Sequence, residues 1–223
     1  MGYATKTRNF LCRLVLGRQF ASAGDPGRRA IAITFDDGPI PAHTPRLMSL
    51  LEAHGGRGTF FVIGAFAETQ PEIMRRLVEG GHEIGNHSMR HRAFAAMAPA
   101  RQFAEIEEAD KVLERYDGRP AHWFRPPQGR ITPAMLLALG RRRHPVAMWS
   151  LDSFDYRGLG VEAIVSRFDS RPARPGDVLL FHDDNDDTVR ALEKLVPRWR
   201  AEGYEFLTLS ELLGRRAGEG SGS

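Results

Sequence analysis

The stretch Ala30-Ile31-Ala32-Ile33-Thr34-Phe35-Asp36-Asp37-Gly38-Pro39 joins an apolar run to two adjacent carboxylates and a Gly-Pro turn. An apolar run of this length bounded by a turn signal reads as a buried strand that stops at Gly38-Pro39. Both acids therefore stand at a strand tip. Successive side chains on an extended chain face opposite ways, so Asp36 and Asp37 are expected to divide two tasks, one holding a metal and the other handling a proton. For an Asp-Asp-Gly taken alone, capping of the turn or of the next helix is the simpler reading. The surrounding pattern decides between them.

Working outward, Thr44-Pro45 has the chemistry of an N-cap and first helical position. Leu47, Leu50 and Leu51 follow at helical spacing, and Gly55-Gly56 ends the helix. Strands are then expected at 59–63, 83–87, 122–125, 146–150, 178–181 and 206–208. Helices are expected at 71–78, 98–115, from 132 onward, at 161–168 and at 188–201. Regular alternation of short strands and helices means a mainly parallel α/β sheet, closed or nearly closed into a barrel. The count is roughly seven β/α units, one short of the eight of the common barrel. No linker interrupts residues 29–213, which read as a single domain. Residues 1–28 form an N-terminal extension, and 214–223, small and Gly/Ser-rich, read as a flexible tail.

Composition excludes several classes. The chain of 223 residues is 42% hydrophobic and 26% charged, with a net charge of +3 and a pI near 9.3. That is an ordinary globular balance with a mildly basic surface, and it lacks the reading motif that nucleic-acid binding needs. Cys12 is the sole cysteine, so no intrachain disulfide forms. No run of about 18 apolar residues is present, so no spanning helix is expected. In the extension, Lys6, Arg8 and the apolar stretch 10–16 imitate a secretory signal, but Arg13 interrupts it. An amphipathic, interfacial segment fits as well. The expected location is cytoplasmic or peripheral to a membrane, with export through a weak signal as the alternative.

Polar residues collect at one end of the expected strands. Asp36 and Asp37 follow the first, His87 and His91 the third, and Arg125-Pro126-Pro127-Gln128-Gly129 the fourth. Asp152 and Asp155 follow the fifth, and His182 ends the sixth. The four-residue spacing of His87 and His91 would let both imidazoles point one way from a helical turn. In a parallel barrel all strand C-termini open on one face, where such folds bind and react. Random surface polarity would populate both ends. An acid and two imidazoles make a three-ligand site with open positions, the pattern of a catalytic divalent metal.

Taken in order, TFDDGP at 34–39, HSMRH at 87–91, FRPPQG at 124–129, LDSFD at 151–155 and LFH at 180–182 resemble the successive motifs of the polysaccharide deacetylases, the NodB-like carbohydrate esterases. The resemblance covers about residues 30–212 and implies a distorted β/α barrel. It also implies metal-dependent removal of N-acetyl groups from N-acetylhexosamine units in a sugar polymer, oligomer or glycan precursor. By it Asp37, His87 and His91 are the metal ligands and Asp36 is the general base, oriented by Arg125. His182 is the general acid, partnered by Asp155 with Asp152 as a second choice, and the Gln128 backbone N–H is an oxyanion donor. Zinc is the first choice on ligand type; Co²⁺, Mn²⁺ and Ni²⁺ also suit such a set.

Two departures matter. Gln128 stands where the family usually has Tyr, and Tyr156 where it usually has Trp. Pro127, Trp149, Tyr156 and Leu180, with Phe154, are the residues expected to supply apolar surface for the sugar and acetyl group. His43, His54, His122 and His144 read as structural or solvated, and His82 with Glu83 as packing or support. Asp183-Asp184-Asn185-Asp186-Asp187 imitates a calcium loop, but Thr188 and Lys194 stand where that loop needs Gly and Glu. It reads as a loop and helix cap.

Overall fold

β2 (Ala30–Asp36) is the central stave, and its alternation determines how the barrel is filled. Ile31, Ile33 and Phe35 join an apolar layer beneath α2 (Thr44–Ala53) and α8 (Asp186–Ala201). Ala30 and Ala32 belong to the interior cluster, so Thr34 and Asp36, in phase with them, face inward as well. All seven residues are buried, which is why the strand reads as a continuous apolar run. The structure, a computed structural model, describes residues 3–91 and 94–214. The tail expected at 215–223 lies outside the described residues.

β3 (Thr59–Val62) and β7 (Val178–His182) flank β2 in parallel; β4 (Glu83–Asn86) lies beyond β3, and β6 (Leu151–Asp152) beyond β7. The register pairs Asp36 with Phe61 on one side and with His182 on the other. That pairing alone sets a carboxylate and an imidazole side by side at one end of the sheet. Phe124 bridges Asn86 on one side and Val146 of β5 (Val146–Ala147) on the other. From β5 the chain crosses through 148–150 into β6, where Ser150 N–H donates to Val178 O. The ring of parallel staves is thereby closed. β1 (Phe20–Ala21) pairs with β5, and β8 (Glu205–Phe206) with the start of β2.

The strand expected at 122–125 shrinks to the single bridge at Phe124. Pro126 and Pro127 have no N–H to continue a ladder, so the stave stops where the site begins. Of the strand expected at 146–150 only β5 is regular; the chain then leaves that pairing and resumes as β6 just past the expected end, because the two stretches pair with different neighbours. These two irregularities are the distortion of the barrel.

Around the ring lie α3 (Gly64–Thr69), α4 (Pro71–Glu79), α5 (Pro99–Asp117), α6 (Pro133–Arg142), α7 (Val161–Ser170) and α9 (Leu209–Leu212). Thr132 caps α6 by accepting the Met135 N–H, and Asn185 caps α8 by accepting the Thr188 N–H. The acidic run 183–187 is therefore the loop and cap expected of it. Ahead of the barrel, α1 (Tyr3–Leu16) lies against α6 and buries Cys12 and Leu16. The extension is thus folded onto the barrel through α1 and β1.

Candidate active site

The site is layered by depth. Arg125, fully buried in the barrel interior, donates through Nη1 to Thr34 Oγ1 at 2.8 Å and to Asp36 Oδ1 at 2.7 Å. Its Nη2 reaches Met148 O at 3.3 Å. The guanidinium carbon lies 3.9 Å from the centre of the Phe61 ring, within cation–π range. Burial pulls the guanidinium pKa down, and the Asp36 charge opposes it. The Thr34 hydroxyl passes its own proton to Leu179 O at 2.6 Å, which leaves its lone pair for Arg125. A small-residue interior at Ala30 and Ala32 leaves the barrel room for this cation.

Asp37 does not continue the strand alternation. With φ of 77° it leaves β2 in a left-handed turn, so its carboxylate faces the same space as that of Asp36. His87 Nε2 lies 3.4 Å from Asp37 Oδ1 and 3.8 Å from Asp36 Oδ2; His91 Nε2 lies 3.2 Å from Asp37 Oδ1. The two carboxylates therefore border one centre and differ in depth rather than in strand face. Gly38 next to them admits no side chain, because a Cβ there would overlap the Asp183 carboxylate.

The two histidines converge without a helical turn, contrary to the spacing argument. Residues 87–91 are irregular, and Ser88 and His91 take φ of 69° and 62°. Asn86 supports this bend: its Oδ1 accepts the Ser88 N–H at 2.8 Å, and its Nδ2 donates to Ile106 O and Asp110 Oδ1, both at 2.9 Å. Ser88 Oγ in turn accepts the His91 N–H at 2.9 Å. His87 Nδ1 donates to Arg125 O at 2.8 Å, which places its remaining lone pair on Nε2, toward Asp37. Burial, then the neighbouring His87, pushes the His91 pKa below its ordinary value, which keeps a second lone pair available.

Asp37, His87 and His91 each bring a donor atom to within 4.8 Å of the other two. Asp37 Oδ1 is buried yet makes no hydrogen bond. A buried carboxylate oxygen facing two imidazole lone pairs is unfavourable on its own and is satisfied by a cation. The three residues fit a divalent metal. The protein is expected to bind one such ion per chain and to lose it in Asp37→Ala or His91→Ala, as read by metal analysis after dialysis. Occupancy should also fall as pH drops and protons compete for the imidazoles; undiminished stoichiometry in both variants would place the ion elsewhere.

On the opposite flank, His182 Nδ1 bonds Asp155 Oδ1 at 2.8 Å. Asp155 Oδ2 is held by the His182 N–H and by the Thr188 hydroxyl, each at 2.7 Å. Burial alone would lower the His182 pKa, but the Asp155 bond and charge, with Asp36 and Asp37 nearby, push it up to about 10. Asp152 is not this partner; its Oδ1 accepts the Phe154 N–H at 2.9 Å, and burial raises its pKa.

The expected substrate residues separate into three groups. Tyr156 is exposed, with its ring edge-on to His182 at 5.5 Å. Gln128 projects outward from a turn in which it takes φ of 56°, beside buried Pro127. Trp149 and Leu180, by contrast, are interior: Leu180 belongs to the barrel core, and Trp149 is covered by Arg8 of α1 at 4.7 Å and approached by Arg125 at 5.7 Å. Open aromatic surface beside the site therefore comes from Tyr156 rather than Trp149. Asp37 and His91 keep about a quarter of their side-chain surface open, so the centre meets solvent.

The remaining histidines are structural. His122 bonds Asp110 and Asp117, His144 bonds Asp110, and His82 accepts the Gly58 N–H while facing Glu52. His43 and His54 meet backbone carbonyls. Sequence reasoning gave Thr34, Asn86, Thr188 and Arg8 no role at the site. The first carried a readable signal, since it shares the inward phase of Asp36.

A family model described as polysaccharide deacetylase matches residues 23–144, more than half of the chain. A peptidoglycan-N-acetylglucosamine deacetylase of Bacillus cereus is 37% identical over 190 residues, covering 83% of this chain and 88% of that protein. A chitooligosaccharide deacetylase of a Bradyrhizobium species is 35% identical over 202 residues, covering 83% and 91%. Among solved structures, a peptidoglycan N-acetylglucosamine deacetylase in complex with an N-hydroxybenzamide superposes with a TM-score of 0.84 at 29% identity, covering 92% of this chain and 97% of that one.

Proposed function

The chain belongs to the polysaccharide deacetylase family, and from that premise we propose that it hydrolyses the acetamide of N-acetylglucosamine units in a glycan, releasing acetate and a free amine. The observation that carries the reading is the convergence of Asp37, His87 and His91 between two oriented proton carriers, Asp36 held by the Arg125 guanidinium and His182 held by the Asp155 carboxylate. The matched relatives, named for peptidoglycan and chitooligosaccharide, support an amino-sugar polymer or oligomer as substrate. The His/His/carboxylate set supports zinc.

Asp37, His87 and His91 would hold the cation, which when bound lowers the pKa of water from about 15.7 toward about 7 and polarises the acetyl carbonyl. Asp36 takes the proton from the attacking water as its oxygen bonds the acetyl carbon. Arg125 leaves Asp36 little freedom to rotate, so the accepting oxygen is aimed in advance. The Gln128 N–H is the family-implied donor to the developing oxyanion. His182, with Nδ1 tied to Asp155, offers Nε2–H to the sugar nitrogen; the C–N bond breaks, the amine takes that proton, and acetate leaves. Tyr156, edge-on to His182, supplies a wall against which a sugar ring can lie.

Zinc-loaded protein is expected to release one acetate per amine exposed from N-acetylglucosamine oligomers or peptidoglycan fragments. Metal-replete protein inert on every N-acetylated amino sugar would end the proposal.

The His182 pKa carries its own test. A raised folded-state value favours the protonated form, so its contribution to stability is complete below the ordinary value of about 6.5 and is lost as pH rises through about 10. Turnover should therefore persist into the alkaline range and fall as His182 deprotonates. Asp155→Asn removes the larger push and should move that limb to lower pH, the same direction in which a cation held beside Asp37 would move it by repelling the imidazolium. A pH profile with the limb unmoved would disconnect His182 from proton donation.

A further inference from the structure

α1 carries apolar side chains on two faces. Cys12 and Leu16 turn toward α6 and are buried, while Phe10, Leu11 and Leu14 stay exposed, Phe10 at 67% and Leu14 at 72%. Leu137 on α6, the helix against which α1 packs, is likewise 51% exposed. The helix is anchored: Arg8 Nη1 donates to Gly129 O at 3.2 Å and Asn9 Nδ2 to Trp149 O at 3.2 Å. The uncovered face is therefore held in place by contacts to the loops around the site.

Charge selects what covers it. Residues 1–24 and 118–151, which contain both helices, include no Asp or Glu. The C-terminal ends of α1 and α6 adjoin, since a Cβ on Gly140 would stand 3.6–3.7 Å from Leu16 and Val15. At that end Arg13, Arg141 and Arg143 are exposed and make no ion pair among the described residues, whereas Arg142 between them is engaged by Glu107 at 2.5 Å. An apolar ridge rimmed by arginines, of which Glu107 engages only Arg142 among the described residues, complements a surface that is apolar inside and anionic outside. A second copy would set the same positive rim against itself.

We infer that the α1–α6 face docks the protein on an anionic lipid bilayer. Phe10, Leu11, Leu14 and Leu137 enter the interfacial region, and Arg13, Arg141 and Arg143 meet the lipid phosphates. The contact inferred is a peripheral one, made by side chains of the two helices; among the described residues no helix is long and apolar enough to cross a membrane. The inference is independent of the deacetylase reading, because vesicle binding needs no turnover.

The full chain should co-sediment with vesicles containing phosphatidylglycerol at low ionic strength, remain in solution with phosphatidylcholine alone, and dissociate as salt is raised. Phe10→Ser with Leu14→Ser, both at exposed positions, should weaken partition by about tenfold per side chain. Arg141→Gln with Arg143→Gln should weaken it by about fivefold per cation. Thermal melts and acetate release from a soluble oligomer should be unchanged in both pairs. Failure of the unmodified protein to bind anionic vesicles would overturn the inference, as would binding that survives the Phe10 and Leu14 changes. A concentration-dependent dimer in sedimentation velocity, lost in those variants, would assign the face to a second copy and also overturn it.

Discussion

Asp36→Asn is expected to lower kcat by about 10² to 10⁴ while the purified variant still binds one divalent ion per chain. The two effects separate because Asp36 stands behind Asp37, His87 and His91, the residues that would hold the ion. Its Oδ2 is 3.8 Å from His87 Nε2, too far for a hydrogen bond, and its Oδ1 is committed to Arg125 at 2.7 Å. Asn keeps the shape and can still accept from the guanidinium, so Arg125 has no reason to move. What Asn lacks is the capacity to take a proton from water. Asp37→Asn should show the reverse pattern, losing the ion first and activity in consequence. Metal analysis and steady-state kinetics on the two variants distinguish the roles; a drop in bound metal for Asp36→Asn comparable to that of Asp37→Asn would abolish the division of labour.

The sequence suggests that division on one ground, and the structure brings the two carboxylates together by another route. Strand alternation sends Asp36 inward as expected, and the register with β7 brings His182 beside it. Asp37, however, reaches the same centre because the backbone turns left-handed at φ 77°, and nothing in a non-glycine residue advertises that conformation. The same holds for Ser88, His91, Gln128 and Phe154, which also take positive φ on the loops of the site. Strain of this kind costs on the order of 1 to 3 kcal/mol per residue and persists only where neighbours over-determine it. Asn86 and Ser88 do so for the histidine loop. The positions of the polar motifs were readable from periodicity, whereas the way they converge was set by tertiary contacts. The burial of Trp149 was unreadable for a related cause. Its cover comes from Arg8, 141 residues earlier in the chain, and no local pattern links them.

Arg125→Met should be the most destabilising single change at the site. It strips Asp36 of its only ion-pair partner among the described basic side chains within hydrogen-bond reach, and it leaves a carboxylate inside a barrel otherwise lined by Ala30, Ala32 and Phe61. Breaking a buried pair from one side costs about 3 to 5 kcal/mol, because the surviving charge has lost its compensation. For a domain of this size that corresponds to a Tm lower by very roughly 6 to 20 °C. The double variant Asp36→Asn with Arg125→Met removes the orphaned charge and should recover much of that loss, since replacing both members of a buried pair is often close to neutral. It should remain as inactive as Asp36→Asn. Stability would then be restored without function, which identifies the ion pair as a device for aiming a base rather than for holding the barrel together. Thermal melts of the two single variants and the double variant make the comparison. A double variant no more stable than Arg125→Met alone would assign the guanidinium's value to its packing on Phe61 and its bonds to Thr34 and Met148 instead.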